Sequence, residues 1–184
     1  MSRLENIARR IRNCRRCPLF KSALNAVPGE GSSHARIFFI GISPGSTEDK
    51  TGRPFSGRAG KFLDSVFKRL NIDRKKVFIT SLVKHHPPNN RVPFKREVLA
   101  CKPFLLEQLK VVNPEVVVVF GRVAQHYLKG EPVLSDKQVI NVVHPNFLSI
   151  EPSSTRAFLT SIALSKNSSN NAPGSITNLL AFIL

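Results

Sequence analysis

The sequence predicts an α/β fold: a three-layer α/β/α sandwich around a central, mostly parallel four-stranded sheet. Two observations carry this. Unbroken apolar runs rich in β-branched residues recur at 36–41 (RIFFIG), 77–82 (VFITSL), 115–120 (EVVVVF) and 139–143 (VINVV). Segments of helical period separate them, and strands without polar alternation are buried on both faces, as in a parallel sheet covered by helices.

Taken in order, the first run ends in Gly41 and enters a loop rich in Gly, Pro and Ser. From Arg58 the period changes, with Ala59, Phe62, Leu63, Val66, Phe67 and Leu70 on one helical face. The second run leads into a Pro/Asn loop and a helix predicted over about 95–111. Pro114 precedes the third run, and Gly121 turns it into a short helix. The fourth run reaches His144-Pro145-Asn146, with a last helix expected from 153 or 154. Ligands bind beyond the carboxyl ends of strands in such sheets, so 41–57, 81–91, 121–122 and 144–147 are expected to converge. The first domain is assigned to residues 1–164. Residues 165–184, a polar linker (SKNSSNNAPGS) and an apolar tail, receive no role.

The 184 residues carry a formal net charge of +16, which suits a polyanionic partner, nucleic acid first and an acidic protein second. No apolar run is long enough to span a bilayer, and no secretory leader pattern opens the chain. Three cysteines are too few for a disulfide scaffold, so a reducing, intracellular (cytoplasmic) setting is expected. Cys14 and Cys17 form a CxxC pair. Cys101 with His85 or His86 would complete a four-ligand set, suited to zinc or to an iron–sulfur cluster, and the spacing does not separate the two.

GISPGSTEDKTGRPFSGRAGKFLD (41–64), TSLVKHHPPNNRVP (80–93), CKPFLLEQL (101–109), VVVFGRVA (117–124), HPN (144–146) and the CRRCPL segment at 14–19 together resemble the family 4 uracil-DNA glycosylases, the iron–sulfur members of their superfamily. The resemblance covers about residues 10–160. It implies hydrolysis of the N-glycosidic bond of uracil, or a related deaminated base, in DNA during base excision repair; a monomer is expected. It implies a [4Fe–4S] cluster on Cys14, Cys17, His85 and Cys101, where His85 stands in a position the family fills with Cys; zinc or no metal are the alternatives.

By the same resemblance His144 is the catalytic donor to the base oxygen and Phe55 the platform on which the base stacks, with Gly41 and the backbone that follows it near the base. Two positions depart from the family. Ile42 stands where the first motif carries a Glu, and Ser81 where the second carries an Asn that reads the uracil edge. Ser43 is the nearest polar group to assist at the first motif, and Glu48 and Asp49 are further candidates. Arg53, Arg58, Lys84 and Arg91 are assigned to the DNA backbone. Retained His144 and Phe55 favour an enzyme; Ile42 and Ser81 favour a binding module that grips DNA or a damaged base without cutting it.

Overall fold

A computed structural model describes residues 2–143. Its sheet has five strands in the order β1-β3-β2-β4-β5: β1 (Glu30–Gly31), β2 (Ile37–Gly41), β3 (Phe78–Ser81), β4 (Val116–Phe120) and β5 (Gln138–Val142). The four strands expected from the sequence are β2 to β5, all parallel in register. The fifth, β1, adds an antiparallel edge of two residues, with Glu30 opposite Ile79 and Gly31 opposite Phe78. Its brevity leaves no periodicity in the sequence.

Side-chain alternation splits the sheet's apolar residues between two cores. Phe38, Ile40, Phe78, Val117 and Val119 face one side, where α1 (Arg3–Arg12), α4 (Lys95–Val112) and α5 (Arg122–Leu128) supply Ile7, Ile11, Val98, Leu105, Leu109, Ala124 and Leu128. Phe39, Ile79, Val116, Val118, Phe120, Ile140 and Val142 face the other, against Phe62, Leu63, Val66 and Phe67 of α3 (Arg58–Arg69). This is the expected three-layer arrangement. α3 presents its apolar residues at the spacing read from the sequence, whereas α2 (Ser46–Thr51) lies inside the segment expected to be a plain loop. Its sequence, STEDKT, has no apolar stripe to announce a helix.

α1 opens with a capping box, Ser2 Oγ accepting from Glu5 N–H and Glu5 Oε2 from Ser2 N–H. It closes with arginines in its last turn, favourable against the helix dipole. α4 ends at Asn113 in the left-handed region (φ 48°), just ahead of Pro114. Among the described residues no helix is long and apolar enough to cross a membrane.

Candidate functional site

A cleft of about 520 Å³ opens at the carboxyl ends of β2 and β3. Ile42, Ser43, Phe55, Arg58, Ser81 and Arg91 line it, with Glu48, Asn90 and Val92. The first motif, the GRPF turn and the Pro/Asn loop therefore converge as expected. Residues 121–122 are absent from the described lining, and His144 and the HPN segment lie outside the described residues.

Phe55 is held in an uncommon backbone conformation, φ 49°, which costs about 1–3 kcal/mol at a non-glycine residue. Its surroundings offset that strain. The ring lies on Gly41, where a Cβ would stand 2.9 Å from Phe55 Cζ, and 5.5 Å from the Phe120 ring centroid. Arg74 Nη2 donates to the Pro54 and Phe55 carbonyl oxygens at 2.8 and 3.3 Å. At Gly60 an added Cβ would sit 1.7 Å from the Phe55 carbonyl oxygen, so the first turn of α3 must carry glycine there for the chain to close against it. Glycines at 41 and 60 are thus fixed by close approach to Phe55.

Ser81 ends β3 beside Gly41, its pair in the ladder, and is 3% exposed. Beneath it sits Lys84, and here the sequence reading is corrected. Lys84 is 1% exposed and does not reach a DNA backbone. Its Nζ donates to Thr80 Oγ1 at 2.6 Å, to the Ser81 carbonyl oxygen at 2.8 Å and to Gln108 Oε1 at 2.8 Å. Burial pushes its ammonium down to about 7, against the pull of Cys101.

The other assigned cations are at the surface. Arg53 is paired with Glu30 at 2.9 Å, and Arg91 with Glu97 at 2.7 Å. The Arg91 guanidinium lies 3.9 Å from the centroid of the Phe94 ring, itself half exposed. Arg58 is exposed at the cleft wall.

The two acidic candidates behave differently. Asp49 is buried and accepts from the Leu24 and Asn25 backbone N–H groups at 3.0 and 3.1 Å, so it ties the 24–25 loop to α2 and is not part of the cleft lining. Glu48 does line the cleft.

The candidate metal ligands lie around the middle of the 81–91 loop, which carries His85. Cys14 and Cys17 are half-buried and Cys101 is buried. Proximity to Cys14 adds to the upward push on the Cys17 and Cys101 thiols, and His85 borders the same hollow as Cys14. Burial pushes the Cys101 thiol up to about 11, opposed by the Lys84 ammonium and a hydrogen bond from the Lys84 backbone. Burial also raises Cys17, opposed by a hydrogen bond from the Leu19 backbone. His85 is lowered by burial, with Asp49 opposing.

His86 turns elsewhere, Nε2 standing 3.0 Å from Asn90 Oδ1 and Nδ1 3.8 Å from Asp49. Among the described residues no three His, Cys, Asp or Glu groups converge on one point. Three thiols, one buried imidazole and backbone donors aimed at two of the sulfurs nevertheless form a donor set that suits an iron–sulfur cluster.

The sequence model of the uracil DNA glycosylase superfamily matches residues 28–164. The chain belongs to that superfamily, whose members act on DNA. It is 40% identical over 158 residues to the type-4 uracil-DNA glycosylase of Thermotoga maritima, spanning 79% of this chain and 82% of that protein. It is 47% identical over 129 residues to the type-4 enzyme of Saccharolobus solfataricus, where the match spans 70% of this chain and 60% of the relative. A type-5 uracil-DNA glycosylase of Pyrobaculum aerophilum is 30% identical over 153 residues. Within the superfamily the chain groups with the type-4 uracil-DNA glycosylases.

Proposed function

We propose that this chain is a DNA glycosylase of base excision repair that hydrolyses the N-glycosidic bond of uracil, or of a related deaminated base, and works as a monomer. The observation that carries the reading is the cleft beyond β2 and β3, walled by the strained Phe55 ring over Gly41 with Ser81 at its base. The chain's net charge of +16 draws in the DNA backbone, and Arg58 and Arg91 meet phosphates at the rim. Arg53 and Arg91 do so by trading their Glu30 and Glu97 partners for DNA.

A nucleotide turned out of the duplex enters the cleft. Its base stacks on Phe55, the Ser81 hydroxyl meets its polar edge, and backbone amides after Gly41 close around it. As the C1′–N bond breaks, negative charge grows on the base and His144 donates to the oxygen that carries it. Ser43 assists at the same wall. Cys14, Cys17, His85 and Cys101 would hold a [4Fe–4S] cluster, tying the segment after α1 to the loop after β3 and to α4. When bound, the cluster would supply the positive charge that keeps the three cysteine sulfurs ionised.

One feature favours a second reading, a binder of damaged DNA without activity. Ile42 presents an apolar side chain to the cleft where the family's first motif carries a carboxylate. The deciding experiment is release of abasic product from duplex and single-stranded oligonucleotides containing U·G, U·A or hypoxanthine, with His144→Ala as the control. Excision that vanishes in the control supports the glycosylase; tight binding of the same oligonucleotides with no excision supports the binder.

A further inference from the structure

Hydrolysis of a nucleoside is accelerated by a negative group near the sugar, which balances oxocarbenium character at C1′ and orients the attacking water. Ile42 supplies neither. Among the described residues lining the cleft, Glu48 is the one carboxylate. It is fixed at both oxygens: Oε2 accepts from the Gly45 N–H at 3.0 Å and Oε1 from the Gly57 N–H at 2.7 Å. Glycine at both positions leaves room for this approach: a Cβ on Gly45 would stand 2.7 Å from Oε2 and one on Gly57 3.2 Å from Oε1. Each oxygen keeps a further acceptor site beyond its amide bond.

We infer that Glu48 is the catalytic carboxylate of this chain, doing from the first turn of α2 what position 42 cannot do. This rests on the glycosylase reading above. In the step, water adds to C1′ and the electron pair of the C1′–N bond departs with the base. The proton lost by the water passes to Glu48 and on to solvent. The two amides prevent the carboxylate from swinging away, so no side-chain ordering is needed at the moment of reaction.

The test is single-turnover excision of uracil by the full chain and by Glu48→Gln, Ile42→Glu and the double variant Ile42→Glu/Glu48→Gln, with DNA affinity and thermal melting measured alongside. Glu48→Gln is expected to slow excision about 100-fold at unchanged affinity, and Ile42→Glu in that background to restore at least about tenfold. Restoration separates charge from structure, since a carboxylate at 42 cannot replace the bonds to Gly45 and Gly57. Wild-type rates in Glu48→Gln, or a loss that Ile42→Glu leaves untouched, would overturn the role of Glu48 while the glycosylase stands. A wild-type chain that excises nothing overturns both, and is told apart by its own blank lane.

Discussion

Lys84 Nζ donates to Gln108 Oε1 at 2.8 Å in the interior, and both side chains are 1% exposed. Gln108 in turn donates to the Pro28 carbonyl oxygen at 2.7 Å, which also accepts from Thr80 Oγ1 at 3.0 Å. This closed set of bonds joins α4, the end of β3 and the extended segment leading to β1 directly under Ser81. Lys84→Met keeps the stem volume but leaves buried acceptors without a donor, at a cost of about 1–3 kcal/mol. Chemical denaturation should show that loss. The salt dependence of DNA binding should stay at the wild-type slope, whereas Arg58→Ala should lower the slope by about 1. A reduced slope in Lys84→Met would mean that the lysine reaches phosphate after all.

Glu97 links the rim of the cleft to α4. Its carboxylate accepts from Arg91 at 2.7 and 2.8 Å and from the Phe94 N–H at 2.8 Å. The hydrogen bond from Arg91 is the main reason its pKa lies below the ordinary carboxylate value; burial opposes it and the Phe94 amide adds to it. A carboxylate with a lowered folded pKa contributes stability above its unfolded pKa and loses it as pH falls through the folded one. Glu97→Gln should therefore be less stable than wild type by about 2 kcal/mol at neutral pH. The gap should close in acid, below the usual carboxylate range. A gap independent of pH would show that packing rather than charge sets the effect.

The strands were legible because both faces of β2 and β4 are buried, so IFFI and VVVV need no polar alternation. The helix face from Ala59 to Leu70 was legible by period, and the cleft motifs by the combination of their residues. What stayed hidden depends on partners distant in the chain. Lys84 reads as a surface lysine in a polar loop until Gln108, 24 residues on, is brought beside it. Glu48 reads as one of several acids until Gly57, nine residues later, donates to it. β1 exists only because the edge of β3 offers it a ladder, and α2 lacks an apolar face of its own. His144 was read from its motif alone.

The metal corner gives a third prediction. His85 is buried and faces the hollow that Cys14 borders, while His86 is bonded to Asn90. His85→Ala should lose bound iron and the broad visible absorption of an iron–sulfur protein, and should melt at a lower temperature. His85→Cys should keep both iron and colour, because a thiolate satisfies the same position. His86→Ala should keep them as well. Iron retained in His85→Ala and lost in His86→Ala would reverse the assignment, and stoichiometric zinc in a colourless wild-type protein would replace the cluster with a closed zinc site.

Ser81 sets the last expectation, on base selectivity. Its hydroxyl is a single rotatable group, whereas an amide presents a donor and an acceptor in fixed relation. The space over Gly41 beside Ser81 is filled by the Phe55 ring, whose Cζ stands 2.9 Å from where a Gly41 Cβ would be, so a longer side chain at 81 is expected to extend into the cleft that Ser81 lines. Ser81→Asn should thus place an amide against the base edge and gain about 1–3 kcal/mol of discrimination between bases. Measured as the ratio of kcat/KM for uracil over hypoxanthine, that is roughly a 5- to 150-fold rise. Thermal melting guards against overpacking beside Phe55. A folded Ser81→Asn protein with the wild-type ratio would show that residue 81 does not read the base, and that selectivity lies with the backbone after Gly41.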